Sequence, residues 1–373
     1  MSGDSECSEE IFIKPVPQDG LWRDKSLTPF MKPTLLFTVL ASFTAVAPDL
    51  HAAEPKKVIV CTVTTGFRHS SIGDAEKTLK QLGADSGAFT IVDFAQQPTA
   101  QVARKLGAPN KLADLKPDAD DKTRAKYEGD LKRYNDEQKR YEEAMAKWTA
   151  ADDEKAKTSQ AEYDAQMKAS MEKLSPANLA AKHIDGVIFA NTTGDLPLPD
   201  REGFIKWIEA GHGFMAMHSG SDTFHGFKGY TEMLQGEFET HGAQVPADLI
   251  AADTTHPANA GIGGKWDIQQ EEMYLIKSQD RAKVRSLWYL AHHPNDVAKN
   301  GFFPVSWCRM AGTGRVFYTS LGHREDLWNA DPNLKDRKNS VETSKQYQAH
   351  LLGGIKWALG LAEGSAAPNP EVK

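Results

Sequence analysis

The chain carries its clearest signal in short apolar runs separated by amphipathic stretches. Val58-Ile59-Val60-Cys61-Thr62-Val63 is continuous and β-branched, the pattern of a strand covered on both faces. Ser70-Ser71 offers a helix cap, and a helical pattern then runs to Leu82-Gly83, where glycine ends it. Residues 89–94 read as a second strand and 185–190 as a third. Pro199-Asp200 opens a helix that stops at Ala210-Gly211, and residues 213–218 (GFMAMH) read as a fourth strand. Later, residues 284–290, 305–310 and 315–321 read as strands, and 347–359 as a closing amphipathic helix. This alternation predicts an α/β fold with a doubly wound, mostly parallel sheet.

One region breaks the rhythm. Residues 112–178 are dense in Lys, Glu, Asp, Ala and Gln. Within them Tyr127, Leu131, Tyr134, Tyr141, Met145 and Trp148 follow one another at 4, 3, 7, 4 and 3 residues, one face of a helix at coiled-coil spacing. The stripe lapses near 149–157 and resumes weakly at Tyr163, Met167 and Met171. The expected structure is a long antiparallel helical hairpin inserted in the domain, with one long solvated helix as the alternative. It carries no chemistry, and assembly of a homo-oligomer is the role it suggests.

The ends read differently. Residues 33–48 hold no charge and contain Leu35, Leu36, Phe37, Val39 and Leu40; Leu50-His51-Ala52-Ala53 and a charged stretch follow. This is the layout of a signal peptide over 31–53, so export to the periplasm or the exterior is expected, with 1–30 a disordered upstream extension. The apolar run is shorter than the roughly 20 residues of a membrane span. The main domain is then 54–363, and 364–373 a disordered tail.

Net charge is −7 over 373 residues, and the basic residues are not clustered. That argues against a nucleic-acid partner. Cys7, Cys61 and Cys308 show no zinc or CxxC spacing, and Cys61 lies in a buried-strand pattern, so a free thiol is expected there.

Parallel α/β sheets bind ligands at the carboxyl ends of their strands. The segments there are Thr64 to Ser70, Asn191 to Gly194, His218 to Thr223, and Gly322-His323-Arg324. Three histidines, His69, His218 and His323, thus fall at one predicted edge, and histidine suits proton transfer near neutral pH and metal binding. His241 and Glu272 extend the set of candidate catalytic groups. Arg68, Asn191, Asp222, Tyr274 and Arg324 are candidates for substrate binding. In a strand through 271–274, Glu272 and Tyr274 would share a face. A divalent metal such as zinc on His69, His218, His241 and Glu272 is the alternative, although no HExxH spacing supports it. The turn at His218 has the shape of a nucleophile elbow, but G-x-S-x-G, Walker A and dinucleotide glycine motifs are absent. Trp207, Trp266, Trp288, Trp307 and Trp328 are candidate sugar-stacking faces for a non-catalytic binding module.

The segments TGFRHSS (65–71), GHGFMAMHSGSDTF (211–224), YTEMLQGEFETH (230–241), THPANAGI (255–262), EEMY (271–274), GTGRVFYTSLGHRED (312–326) and GGIKWALG (353–360) resemble the ThuA-like, trehalose-utilisation family. The resemblance spans about Lys57 to Gly360 apart from the insertion. It implies a flavodoxin-like sheet related to class I glutamine amidotransferases, and a role on a keto-sugar or disaccharide. Isomerase, lyase and hydrolase chemistry, with or without a metal, and simple carbohydrate binding all remain open. His218 stands where an amidotransferase has its cysteine, so glutaminase activity is not expected. Glu271 stands where the family motif has aspartate, while Glu272 and Tyr274 keep their places.

Overall fold

The computed structural model describes residues 54–372. The expected upstream extension and signal peptide lie outside these residues. In chain order the elements are β1 (Lys56–Cys61), α1 (Ile72–Ser86), β2 (Phe89–Ala95), α2 (Asp121–Lys147), α3 (Ala150–Glu172), α4 (Pro176–Ala181), β3 (Gly186–Ala190), α5 (Arg201–Glu209) and β4 (Gly213–Met217). Then come α6 (Lys228–Leu234), β5 (Glu237–His241), β6 (Val245–Ala251), β7 (Lys265–Glu271), β8 (Tyr274–Lys277), β9 (Arg285–His293), β10 (Asp296–Ala311), β11 (Gly314–Thr319), α7 (Glu325–Trp328) and α8 (Val341–Ala358).

Nine strands form one sheet in the order β2-β1-β3-β4-β11-β10-β9-β6-β7. The first five pair in parallel, and the last four run antiparallel to their neighbours. The fold is mixed α/β, as the alternation of elements predicts, with an antiparallel extension the sequence reading did not include. Alternation along β1 shows why the parallel half must be covered twice. Val58 and Val60 join α1 and α8 in one core, while Ile59 and Cys61 join the end of α3 with α4, α5 and α6 in the other. In α8, Leu351, Ile355 and Trp357 are almost completely buried. Burying each contributes roughly 1.5–3 kcal/mol against the unfolded chain. Gly354 lets this helix close on β11, because a Cβ there would overlap the Phe317 ring.

Three expectations need correction. Residues 112–178 hold two helices, α2 and α3, broken at Trp148-Thr149, but these do not lie packed along one another as a hairpin. The reason is chemical: α2 buries no residue, and α3 buries only Met167, Ser170 and Met171 near its end. A seam needs large apolar positions on both partners, and over residues 150–162 the apolar residues of α3 are all alanine. The expected disordered tail is tied to the fold: Asn369 accepts from Ser286 N at 2.8 Å, and its amide donates to Ser286 O at 3.1 Å. Finally, the expected strand through 271–274 is two strands, β7 ending at Glu271 and β8 beginning at Tyr274. Among the described residues no helix is long and apolar enough to cross a membrane.

Candidate active site

The site gathers at the carboxyl ends of the parallel strands. The segment after β1 delivers His69, the end of β4 delivers His218, and the segment after β11 delivers His323. The β7–β8 break delivers Glu272 from the antiparallel half. Two non-glycine residues here have positive φ, Asn191 at 54° and His218 at 48°. Such backbone costs on the order of 1–3 kcal/mol and persists where the surroundings enforce it. At Asn191 the enforcement is visible. Its side-chain amide donates to Ser71 Oγ and to Gly322 O, both at 2.9 Å, while Ser71 Oγ donates to Gly322 O at 3.1 Å. This clasp joins the segment carrying His69 to the one carrying His323.

One ligand atom from each of His69, His218, Glu272 and His323 lies within 4.8 Å of the others. His218 Nδ1 lies 2.8 Å from Ser320 O, and a carbonyl only accepts, so Nδ1 carries the proton. Its Nε2 lone pair therefore faces inward. There it accepts from the Tyr274 hydroxyl at 2.8 Å and lies 3.1 Å from His69 Nε2. Ser219 Oγ sits 3.3 Å from His69 Nδ1. Glu272 spans two histidines, with Oε1 2.9 Å from His241 Nδ1 and Oε2 3.1 Å from His323 Nδ1. At His323 the contact of Nδ1 with Glu272 Oε2 is an ion pair.

The electrostatics follow from burial. Burial, helped by neighbouring His323, holds His69 down to about 4. Burial also holds His218 well below the ordinary histidine value, with His69 and His323 adding to it. Both rings are neutral at pH 7, with lone pairs available. For His323, burial opposes the charge, yet the Glu272 and Glu271 carboxylates outweigh it and raise its pKa. Burial pushes Glu271 up to about 7, against backbone donors from His323 and Arg324 at 2.9 and 3.3 Å. The Tyr274 phenol is pushed well above its usual range by burial and stays protonated.

Residues 57–358 match the family model described as trehalose utilisation, ThuA. The chain belongs to the ThuA family. Its fold is similar to that of a crystal structure of a ThuA-like protein from Parabacteroides merdae, at 16% identity and TM-score 0.50, covering 86% of this chain and 99% of that one. A ThuA-like protein from Bacteroides uniformis is similar at 15% identity and TM-score 0.49, covering 88% and 100%. No curated protein matches the chain.

Within this ThuA chain, His69, His218, Glu272, His323 and Tyr274 converge. His241 reaches only the rim, 42% exposed against Glu272, so His323 takes the place that the sequence reading gave it among the four metal-type donors. The other binding candidates are not among the donors of the cluster. Arg68 donates to Thr62 O at 2.9 Å. Asn191 is the buried clasp. Asp222 meets His225 Nε2 at 2.5 Å. The Arg324 guanidinium is held by Asp326 and Gln244. The five tryptophans proposed as stacking faces are all buried in the cores.

The sequence reading missed four features in and around the site. The Ser320 carbonyl has no side-chain signal. Glu271 serves as a buried acceptor for backbone N–H groups. His225 bridges Asp222 and Glu237, both at 2.5 Å, and these partners outweigh burial and raise its pKa. Phe67 is 67% exposed and sits edge-on to His69, ring centroids 4.9 Å apart. An aromatic in the polar stretch before a helix cap was a usable signal for that residue.

Proposed function

We propose that this chain is a carbohydrate-active enzyme working on a keto-sugar or disaccharide, with a divalent metal held by His69, His218, His323 and Glu272. The observation that carries this reading is the convergence of four donor groups within 4.8 Å, with the His218 lone pair aimed inward by the Ser320 carbonyl. A backbone acceptor behind a ligating histidine is the usual way its tautomer is set. The Nδ1 of His323, 3.1 Å from Glu272 Oε2, fits the same role once its proton is displaced on binding. A bound ion would supply Lewis-acid polarisation of a sugar carbonyl or hydroxyl.

The chain's own groups do the rest. Tyr274, kept protonated by burial, is the proton donor. His241, exposed at the rim, orients Glu272 and is the base open to substrate. A carbon next to a ketone is acidic enough for such a base. Phe67 offers an exposed face for the apolar side of a sugar ring. The thiols lend no support to amidotransferase chemistry: both described cysteines are buried, with Cys61 pushed up to about 12.

A metal-free reading rests on one different observation, that Nε2 of His218 meets both the Tyr274 hydroxyl and His69 Nε2, so that this one nitrogen would take a proton from either and act as the relay without an ion. Elemental analysis of the purified protein, with chelator-treated samples assayed on 3-keto-disaccharides, separates the two. Stoichiometric zinc or a similar ion, with turnover lost on chelation, supports the metal reading. Metal-free protein that still turns over supports the relay. No metal and no turnover sinks both and leaves a binding module.

The same proposal includes a flavodoxin-like ancestry for the parallel half, whose order is β2-β1-β3-β4-β11. It also includes export through 31–53 and self-assembly through the stripe on α2. N-terminal sequencing of secreted protein and native mass measurement test these.

A further inference from the structure

A cavity of about 490 Å³ opens beside His69, lined by Arg68, Ser70, Glu76, Gln96, Gln97 and Thr99. Small-molecule sites span roughly 300–1,000 Å³. Such sites combine apolar surface with a few placed polar groups, and this lining offers hydroxyl, amide, carboxylate and guanidinium groups set among carbon surface that includes Ile72 and Gly73. That chemistry suits a neutral ligand rich in hydroxyl groups. Glu76 is held rigidly for the purpose: Oε1 accepts from Thr62 Oγ1 and Oε2 from Gln96 Nε2, both at 2.7 Å. Each carboxylate oxygen can accept once more. Arg68 meets Thr62 O through Nη1, one of the five N–H donors of a guanidinium.

The outer wall of the cavity is a segment without regular structure, and α3 grips it. Ser170 Oγ donates to Gln96 O at 2.7 Å. Gln97 Nε2 donates to Tyr163 OH at 2.7 Å, while Gln97 Oε1 accepts from Thr64 N at 2.9 Å. Gln166 Oε1 accepts from Thr99 N at 2.9 Å and Ala100 N at 3.1 Å, and Ser159 Oγ accepts from Ala103 N at 3.0 Å. Residues 159, 163, 166 and 170 repeat at 4, 3 and 4, so they form one face of the helix. The inserted helix thus presents a polar stripe whose partner is the cavity wall.

We propose that this cavity binds the second ring of a disaccharide whose first ring lies at the histidine cluster, and that α3 sets this preference by holding the wall. The inference rests on the carbohydrate reading above. The test is calorimetric titration of trehalose and of glucose into the zinc-loaded full chain and its variants, with melting curves confirming that each is folded. Wild type is expected to bind trehalose at least 10-fold more tightly than glucose. Q166L and Y163F should each cut that ratio to about 3-fold or less with glucose affinity unchanged, and R68M should weaken trehalose binding. Glucose binding without a trehalose advantage, or an advantage that survives all three substitutions in folded protein, overturns the subsite alone. No binding of either sugar overturns the subsite together with the carbohydrate reading. Retention of zinc in that case leaves the metal assignment standing.

Discussion

Nε2 of His69 lies 3.1 Å from Nε2 of His218, with the two ring planes at 82°. Two zinc–nitrogen bonds of about 2.0–2.1 Å at a near-right angle span about that separation. Removing one ring should therefore remove the ion. H218A is expected to fall from about one zinc per chain to less than a tenth by elemental analysis. Zinc at 100 times Kd should stabilise wild type by about 2.7 kcal/mol and leave this variant unmoved. Full zinc content in folded H218A would sink the assignment.

Acid should destabilise the protein through His350, which is buried, donates Nδ1–H to Ala258 O, and is held down to about 4 by burial. Its folded pKa lies below the unfolded value near 6.5, so between those values the unfolded chain binds more protons. Stability from this residue is whole above pH 6.5 and drains away as pH falls toward 4, by about 3 kcal/mol. Urea unfolding of wild type and H350Q across pH 4–7 reads it. An equally steep decline in the variant would place the cause elsewhere.

The clasp at Asn191 should matter in two separable ways. N191G keeps the left-handed backbone free of strain but loses both amide bonds, costing about 1–3 kcal/mol. N191A should cost roughly 1 kcal/mol more, because alanine resists φ of 54°. Denaturant midpoints decide, and alanine proving the milder change would contradict the account.

At Gly354 helix propensity and packing oppose one another. Alanine is favoured inside helices by about 1 kcal/mol, but here its Cβ meets the Phe317 ring. Overpacking costs about 1–3 kcal/mol, so G354A is expected to lower stability. F317L should relieve that cost in the double variant, and a G354A protein more stable than wild type would show that α8 has room to move.

Phe67 should separate binding from folding. F67A removes an exposed ring, so stability should change by less than about 0.5 kcal/mol. Sugar affinity should weaken by about 2- to 12-fold, corresponding to about 0.5–1.5 kcal/mol of aromatic contact. Unchanged sugar affinity in a folded variant would remove Phe67 from the site.

The order of elements was written in local pattern. Apolar runs such as 58–63 and 213–217 can be satisfied only as strands covered on both faces, and they place His69 and His218 beyond strand ends. Composition carried the polar insertion, and motif order carried the family. The tertiary structure decided which histidine joins the cluster: His241, at the end of β5, and His323, after β11, both contact Glu272, at 2.9 and 3.1 Å, but His323 is the one whose donor atom falls within 4.8 Å of His69 and His218 as well. It also decided that Trp266, Trp288 and Trp328 are core, that α2 and α3 part company, and that a polar face of α3 grips residues 96–103. These depend on groups that carry no side-chain signature, such as the Ser320 carbonyl, and on hydrogen bonds between residues some 60–250 positions apart. Local sequence sets what each segment can become; long-range contacts select which side chains meet.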